Sequence, residues 1–524
     1  MGIMGATDTN QRTLVAVTVT ADTARQMQTR VAEAAKTGAD VVELRLDYLR
    51  DLTEHDVRDL VAGRPCPVIV TVRAAWEGGR FGGKEADRLG LLKTAAQAGA
   101  EYIDLEYVTW RDSRDSCKHL LQACRKNGRA TQLILSQHDF KRTPGDLEAL
   151  LAELAASDAD IIKLATKARH INDSLRMLEA LRCAGKPAIG VCMGACGVMT
   201  RILAGKAGAY LTYCCLDAGE EAAPGQVPAG DMLTMYRFRQ ITDKTAVLGV
   251  VGCPVAHSMS PALHNAAYEE LGIDAVYLPF EVAEGEGSFN RFLGAILAAG
   301  WLSVRGLSVT IPHKLAALKQ ADEVEPLTAK IGAANTLVLD EGGRIEAYNT
   351  DYAAAMRALC EGADLRPEDL AGKTVAVLGA GGVSRAVVAG LTDAGCEVTI
   401  CNRTVARAQE LAEEFGCQVE AWDDRGRLRP DILVNCTSLG MWPNQYETPM
   451  PKEALQPGTI VFDTVYNPPE TRLLLHAAVK GCRLVDGVAM FVDQGALQMQ
   501  HWFGRSGALG RMRQVVLDRL RRHQ

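Results

Sequence analysis

The chain has 524 residues, 48% of them hydrophobic and 23% charged, with a formal net charge of −7. At ~150 residues per domain that length gives about three domains. No basic block invites nucleic acid, and no apolar run approaches the ~20 residues of a membrane span.

The 15 cysteines form no CxxC pair: three residues separate Cys192 from Cys196, and Cys214 and Cys215 are adjacent. These read as reduced thiols of a cytoplasmic protein, not as a disulfide frame or zinc site, so no metal is expected. The opening MGIMGATDTNQRT has no basic stretch followed by an apolar one, so neither a signal nor a transit peptide is expected.

From residue 13 to about 239 one rhythm repeats: a strand-like run, a connection, a helix-like segment. The strand candidates are 13–20, 41–49, 67–74, 101–107, 132–140, 160–167, 187–193 and 209–214. Eight such pairs predict an α/β fold of the (β/α)8 barrel type, with an open doubly wound sheet as the alternative. In 41–47, Glu43, Arg45 and Asp47 share one face and Val42, Leu44 and Leu46 the other. In 132–139, Ser136 and His138 oppose Leu133 and Leu135. Helices coat the outside of a barrel, so the apolar face should point outward and the charged face into the lumen. Arg73, Glu106 and Met193 end further strands and Lys163 lies within one, towards the strand ends where barrel active sites lie.

Lys163 sits in DADIIKLAT, between Ile162 and Leu164. Desolvation and a neighbouring Arg would both lower its pKa and free the amine to attack a ketone. His138 could then move protons on the imine, with Glu43 and Glu106 orienting that imidazole and fixing arginines. Arg73 and Arg201 suit a substrate carboxylate. The alternatives are a structural ion pair for Lys163 with Glu43 or Glu106, and a satisfied core imidazole for His138.

Glu43-Leu-Arg45-Leu-Asp47, Thr71-Val-Arg73 with Glu77-Gly-Gly, Ser136-Gln-His138-Asp-Phe140, Ile162-Lys163, Met193-Gly and Pro224-Gly-Gln226 together resemble type I 3-dehydroquinate dehydratase. The resemblance implies that Lys163 forms an imine with the substrate ketone, that His138 is the general acid/base and that Glu106 supports it. It also implies substrate contacts from Glu43, Arg45, Arg73, Met193, Arg201 and Gln226. One departure is visible: Ala222-Ala223 stands where that family often has Ser-Ala, so a hydroxyl over the substrate is missing.

A boundary falls at about 239–244, before an apolar strand at 246–251. In the following GCPVAHSMSPALHNAAYEELG, Ser260 is expected to cap a helix with Pro261 at its first position. Two hydroxyls, Ser258 and Ser260, beside a helix N-terminus would seat a carboxylate. Lys314, after a proline turn, and Asp351, ending a loop, could together shuttle a proton to an alkoxide.

Residues 374–378 read as a buried strand, Gly379-Ala380-Gly381-Gly382 as a turn, 384–394 as a helix and 397–401 as a second strand. That unit lays a pyrophosphate on backbone N–H groups at a helix N-terminus. Asn402-Arg403-Thr404 ends the second strand where an NAD-binding chain usually has a carboxylate. A guanidinium there suits a 2′-phosphate, so NADP is the expected cofactor.

With SMSP, Lys314, Gly332-Ala-Ala-Asn335-Thr336 and Asp351, this half resembles shikimate dehydrogenase. The resemblance implies Lys314 and Asp351 as the catalytic pair. Ser258, Ser260, Thr310, Asn335, Tyr466, Gln494 and Gln498 would bind substrate, and Thr437 and Gly487 would join the glycine turn around NADP. The expected domains are 11–240, 245–352 completed by 490–524, and 353–489 as a Rossmann-type lobe. The whole implies dehydration of 3-dehydroquinate followed by NADPH-dependent reduction of 3-dehydroshikimate to shikimate. Quinate as the second substrate, or a metabolite sensor that has lost the chemistry, are the rival readings.

Overall fold

The computed structural model describes residues 12–125 and 131–522; positions 11, 126–130, 523 and 524 of the expected domains lie outside the described residues. The chain divides into two compact units. The first runs to Thr245 and takes in Pro279–Ala283 and Gly294–Leu302; the second comprises Ala246–Leu278, Glu284–Leu293 and Ser303 onward.

The first unit is a parallel barrel. Its strands are β1 (Leu14–Val19), β2 (Val41–Arg45), β3 (Val68–Thr71), β4 (Tyr102–Glu106), β5 (Gln132–Asp139), β6 (Ile161–Lys167), β7 (Ala188–Met193) and β8 (Leu211–Cys215). Each pairs with its neighbour from β1 to β7, and β8 returns beside β1. No ladder joins β7 to β8; the Tyr210 N–H donates to the Ala188 carbonyl at 2.8 Å across that seam. Seven strands are followed by helices. After β8 the chain makes a short strand, β9 (Val227–Pro228), and a single π-helical turn, Asp231–Met235, instead of a full eighth helix.

The outer helices show why the pattern folds this way. In Ala24–Lys36 the Thr23 hydroxyl accepts the Gln26 N–H, and Met27, Val31 and Ala34 recur at helical spacing on the buried stripe. Inside the barrel the period is two, and it layers the lumen. Ala16, Val41, Ile69, Ile134, Ile161, Ile189 and Leu211 form an apolar floor. Two residues further along the same strands come Thr18, Glu43, Thr71, Ser136 and Lys163, all buried. The inward face is thus apolar at the bottom and charged only above it. The strand expected at 41–49 ends at Arg45, and Leu46–Tyr48 is a 3₁₀ turn.

The second unit has two sheets. The first contains β10 (Ala246–Gly252), β11 (Ala275–Glu281), β12 (Val304–Val309), β13 (Glu323–Val324), β14 (Thr336–Leu339) and β15 (Ile345–Tyr348), in the order β11-β10-β12-β14-β15-β13. The second contains β16 (Thr374–Leu378), β17 (Glu397–Asn402), β18 (Gln418–Ala421), β19 (Ile432–Asn435), β20 (Ile460–Asp463) and β21 (Arg483–Val485). Its parallel order, β18-β17-β16-β19-β20-β21, is that of a dinucleotide-binding sheet, with its switch point between β16 and β19. The terminal helices Gly487–Phe503 and Leu509–Arg522 send Val488, Met499, Met512 and Val516 into the core built on Leu248 and Tyr277 of the first sheet and Leu263 of the helix Ser260–Leu271. Among the described residues no helix is long and apolar enough to cross a membrane.

One close approach tests this packing. A Cβ on Gly306 of β12 would lie 2.2 Å from Trp502 Nε1, whose N–H donates to the Leu337 carbonyl at 3.0 Å. Gly306→Ala is expected to destabilise the second unit by ~1–3 kcal/mol through overpacking, read as a lower urea midpoint by tryptophan fluorescence. An unchanged midpoint would mean that the indole shifts freely.

Candidate active sites

Lys163, on β6, points into the lumen and is buried. Its Nζ donates to Asp104 Oδ2 at 2.9 Å and to Tyr213 Oη at 3.1 Å, and lies 3.7 Å from Glu43 Oε1. Asp104 also accepts from Arg73 and from the Ser136 hydroxyl, each at 2.7 Å. Glu43 is fixed by the hydroxyls of Thr18 and Thr71, both at 2.9 Å. The expected depression of the lysine pKa is overturned. Burial alone would lower it, but Asp104, Tyr213 and Glu43 outweigh burial and raise it above its ordinary value. The ligand-free site stores an ammonium.

His138, at the end of β5, pairs through Nδ1 with Glu77 Oε1 at 2.8 Å, and its backbone N–H donates to the same oxygen at 3.0 Å. Burial, then the charges of Arg73 and Lys163, hold the imidazole well below its ordinary pKa. Burial likewise pushes the Glu77 carboxyl up to about 8. At neutral pH the pair is an uncharged imidazole beside a protonated carboxyl, ready to accept a proton.

Glu106 is not the support of His138. It accepts the Ala74 N–H at 3.1 Å and pairs with Arg88 and Arg73, which binds it to the wall behind β3. Strand alternation gave Glu106 the right face, but the imidazole's partner came from the Ala75–Glu77 turn instead. Asp104, two residues before Glu106, was readable from the same alternation and was passed over.

Arg45 makes a two-pronged contact with Asp47, Nε to Oδ1 at 3.0 Å and NH2 to Oδ2 at 2.9 Å. Arg201 is different: it is 1% exposed, and a buried nitrogen, Nε, has no hydrogen-bond partner. One amino group donates to the Tyr213 carbonyl at 3.3 Å, and burial lowers the guanidinium pKa. A buried cation with an unspent donor is a site for an anion. Arg201, Met193 and Gln226 border the same cavity as Lys163 and His138. The Gln226 amide accepts the Ala222 N–H at 2.8 Å and donates to Thr18 at 3.2 Å, holding the 222–226 loop to the lumen wall.

In the second unit Lys314 opens the helix Lys314–Gln320 and is paired with Asp351, the second residue of the helix Thr350–Gly362. Both are buried, and the Asn349 side chain caps the Asp351 N–H at 3.0 Å. The lysine stem crosses the glycine turn, so that a Cβ on Gly382 would lie 2.7 Å from Lys314 Cδ. The pair therefore stands at the turn that a dinucleotide would occupy.

Around this pair the helix Ser260–Leu271 begins one residue earlier than expected. Ser260 is its first residue and Pro261 its second, while the Ser258 hydroxyl accepts the Ser260 N–H at 3.2 Å. The Ser260 hydroxyl is thereby free of the capping duty expected of it. Thr310 follows β12, with its methyl pressed on Gly252. Tyr466 stacks on Phe491 at 4.0 Å between centroids, and its phenol interacts with Ser258. The Gln494 amide donates to the Phe491 carbonyl at 2.9 Å. Asn335 and Gln498 are buried, and both amides bond within the protein.

The glycine turn fits a dinucleotide. Gly379 has φ +112, which only glycine adopts without strain, and its N–H donates to the Cys401 carbonyl at 2.8 Å. Gly381 is exposed and a Cβ on it would meet nothing within 4 Å, so the turn is open to a ligand there. The helix begins at Gly382, two residues before the expected start. Arg403 and Thr404 are exposed at the end of β17, and Asn402 donates to the Thr404 carbonyl at 2.8 Å. Thr437 donates to Asn435 at 2.7 Å beside the switch point. Gly487 lies so close to the Val465 carbonyl that a Cβ would stand 2.5 Å from it. Among the described residues no group of three or more His, Cys, Asp or Glu is gathered for a metal ion.

Family models agree with this division of chemistry. Type I 3-dehydroquinase matches residues 15–243, the shikimate dehydrogenase substrate binding domain residues 250–337, and shikimate/quinate 5-dehydrogenase residues 361–438. The chloroplastic bifunctional 3-dehydroquinate dehydratase/shikimate dehydrogenase of Arabidopsis thaliana is 38% identical over 507 residues, 94% of this chain and 82% of its own. The chain belongs to the bifunctional 3-dehydroquinate dehydratase/shikimate dehydrogenase family. The second half is also similar to single-activity proteins. Shikimate dehydrogenase (NADP(+)) of Bacillus cereus is 40% identical over 282 residues, 52% of this chain and 98% of its own. That of Methanopyrus kandleri is 42% identical over 290 residues, 53% of this chain and 97% of its own.

Two predictions separate the carboxylates of the dehydratase barrel. Glu77→Gln should lower dehydratase kcat by ~10²-fold with KM little changed. Glu106→Gln should instead cost ~1–3 kcal/mol of stability, because Arg88 and Arg73 lose a shared buried carboxylate while keeping Glu85 and Asp104, and lower the melting temperature. Reversed phenotypes would restore Glu106 as the partner of His138.

A third concerns pH. The Glu77 carboxyl titrates at about 8 in the fold against an ordinary 4.5, so between those values the folded chain keeps a proton that the unfolded chain has released. Its contribution to stability is therefore full at low pH and falls as pH rises towards 8. Melting temperatures of wild type and Glu77→Gln, measured from pH 5 to 8, should show a shallower decline in the variant; parallel curves would refute the assignment.

Proposed function

We propose that the chain performs two consecutive reactions, dehydration of 3-dehydroquinate to 3-dehydroshikimate in the barrel and NADPH-dependent reduction of that product to shikimate in the second unit. The observation that carries the first is a buried lysine beside an uncharged imidazole, in a cavity bordered by a guanidinium whose Nε has no hydrogen-bond partner. We divide the chain as 11–240 for the barrel, 245–352 with 490–524 for the shikimate-binding lobe, and 353–489 for the NADP lobe.

In the barrel Arg201, Arg73, Gln226, Glu43, Arg45 and Met193 hold the substrate, the cationic Arg201 taking its carboxylate. Lys163 gives up one ammonium proton and adds through its lone pair to the ketone carbon; the carbinolamine oxygen takes one proton from the nitrogen and the one first released, and leaves as water to give an iminium. His138 removes a proton from the adjacent carbon, and the C–H electrons move towards the iminium nitrogen. The resulting enamine expels the β-hydroxyl, to which His138 returns the proton, so that water departs. A second water hydrolyses the imine and frees Lys163. Glu77 keeps the imidazole oriented throughout.

In the second unit Ser258 and Ser260 seat the carboxylate at a helix N-terminus, with Thr310, Asn335, Tyr466, Gln494 and Gln498 around the ring. Gly379, Ala380, Gly381, Gly382, Asn402, Arg403, Thr404, Thr437 and Gly487 would hold NADPH, which when bound supplies hydride to the carbonyl carbon and leaves as NADP+. Both single-activity relatives are NADP(+) enzymes by name, and the exposed Arg403 suits a 2′-phosphate. Lys314 delivers a proton to the carbonyl oxygen and Asp351 holds that amine in place. We assign the protein to the cytoplasm, a reading supported by 15 free thiols.

Adding 3-dehydroquinate and NADPH to the purified chain should lower nicotinamide absorbance. Lys163→Ala should abolish dehydration and leave reduction of 3-dehydroshikimate intact; Lys314→Ala should do the reverse by ~10²-fold or more. Borohydride with 3-dehydroquinate should attach ligand mass to Lys163, and a chain without adduct or turnover would be a sensor instead.

A further inference from the structure

Tyr213, on β8, is a phenol that touches the reacting nitrogen and that the proposed dehydration leaves unused. It is buried, and its ring joins the apolar floor of the barrel with Ala16, Ile161 and Ile189. Lys163 Nζ donates to Tyr213 Oη at 3.1 Å and lies 4.3 Å from the ring centroid. The Tyr213 backbone carbonyl accepts Arg201 at 3.3 Å. One residue thus joins the amine to the guanidinium assigned to the substrate carboxylate, and all three border the same cavity.

The hydrogen bonding of this phenol is half used. A hydroxyl has one proton to give and lone pairs to receive with. Oη receives from Lys163, and among the described residues no acceptor takes its own proton. Burial holds the phenol's pKa above its ordinary value against the pull of Lys163, so that proton stays in place at neutral pH.

Imine formation has to move two protons from nitrogen to oxygen. Direct passage within the N–C–O unit closes a four-membered ring, in which donor, proton and acceptor are far from linear. A hydroxyl set between the two atoms widens that ring to six members and straightens both transfers. Resting on the reading of the barrel as a Schiff-base dehydratase, we propose that Tyr213 is a catalytic residue that relays protons from Lys163 to the substrate oxygen as the imine forms.

In the first pass one ammonium proton moves to Oη while the Oη proton moves to the ketone oxygen. The nitrogen pair left behind bonds to the ketone carbon, giving a carbinolamine with a hydroxyl and a positively charged nitrogen. The phenol O–H then turns about its C–O bond. In the second pass another N–H proton moves to Oη and the Oη proton to the carbinol oxygen. Water leaves with the C–O electrons, and the nitrogen pair closes the C=N bond of the iminium. The reacting unit keeps one positive charge throughout and the phenol ends each pass neutral, so Asp104 and Arg73 never face a changed charge. Hydrolysis runs the same passes backwards.

Tyr213→Phe tests this, because it keeps the ring and deletes the oxygen while Lys163 retains Asp104. Two readouts isolate imine chemistry from C–H cleavage. One is exchange of the 3-dehydroshikimate ketone oxygen with oxygen-18 water, without NADPH; the other is the rate at which borohydride and 3-dehydroshikimate attach mass to Lys163. Both should fall ~10²-fold in the variant, and dehydratase kcat should fall with them. Exchange and trapping at wild-type rates would overturn the relay, as would a loss of kcat that leaves both untouched. Should the variant fail to fold, the wild-type trapping rate in mixtures of light and heavy water decides. Two protons moving together bend the plot against deuterium fraction; a straight line, or a rate indifferent to deuterium, overturns the proposal. A wild-type chain that neither exchanges the oxygen nor gains mass would instead overturn the functional reading itself.

Discussion

The barrel is organised around one buried carboxylate. Asp104 receives Lys163 of β6, the Ser136 hydroxyl of β5 and Arg73 from the segment after β3. Burial would push its carboxyl up, yet Arg73 and Lys163 hold it well below the usual carboxylate range. A charge in that setting cannot be removed cheaply, because each partner would be left buried and unpaired. The lumen can be charged at this level only because an apolar floor lies beneath it and the helices outside keep water away. Everything proposed for the dehydratase, from the stored ammonium to the neutral imidazole, depends on that anchored cluster.

Much of the arrangement is written locally. A period of two told Glu43, Ser136, His138 and Lys163 apart from their outward neighbours, and a strand, glycine turn and helix at 374–394 identified the dinucleotide lobe. Contacts between strands were not readable in the same way. Alternation assigns a face but not a depth, and strand stagger sets depth: Ser136 lies opposite Lys163, while Glu106 lies opposite Ser136. Glu77 escaped because it sits on a turn after β3, where no period applies. Its role depends on the β5 strand end coming to meet it. The expected sign of the Lys163 shift failed for a related reason: the flanking isoleucines and leucine announce burial, but the compensating carboxylates come from β2 and β4.

The second unit is decided by close approaches more than by charge. Lys314 reaches Asp351 by crossing the bare backbone of Gly382, and Trp502 lies in the space that a side chain on Gly306 would need. Glycine is readable as punctuation in a sequence, but what fills the space it leaves comes from distant segments. The buried hydrogen bonds that run from Tyr277 through Ser308, Gln498, Thr336 and Asn335 to Thr350 are illegible for the same reason: these residues come from β11, β12, the helix Gly487–Phe503, β14, the residue before it and the helix Thr350–Gly362.

Both units bury a lysine against an aspartate, and the surroundings give the two pairs opposite work. In the barrel Asp104 keeps Arg73 and Ser136 after Lys163 gives up its proton, so the amine can become a nucleophile without stranding a buried charge. The raised lysine pKa therefore sets the cost of a step that the site tolerates. In the second unit Lys314 is the only cation among the described residues in an ion pair with Asp351, and both are buried. A lysine that must attack carbon is best held by a carboxylate with other partners, and a lysine that must pass a proton is best held by one without them.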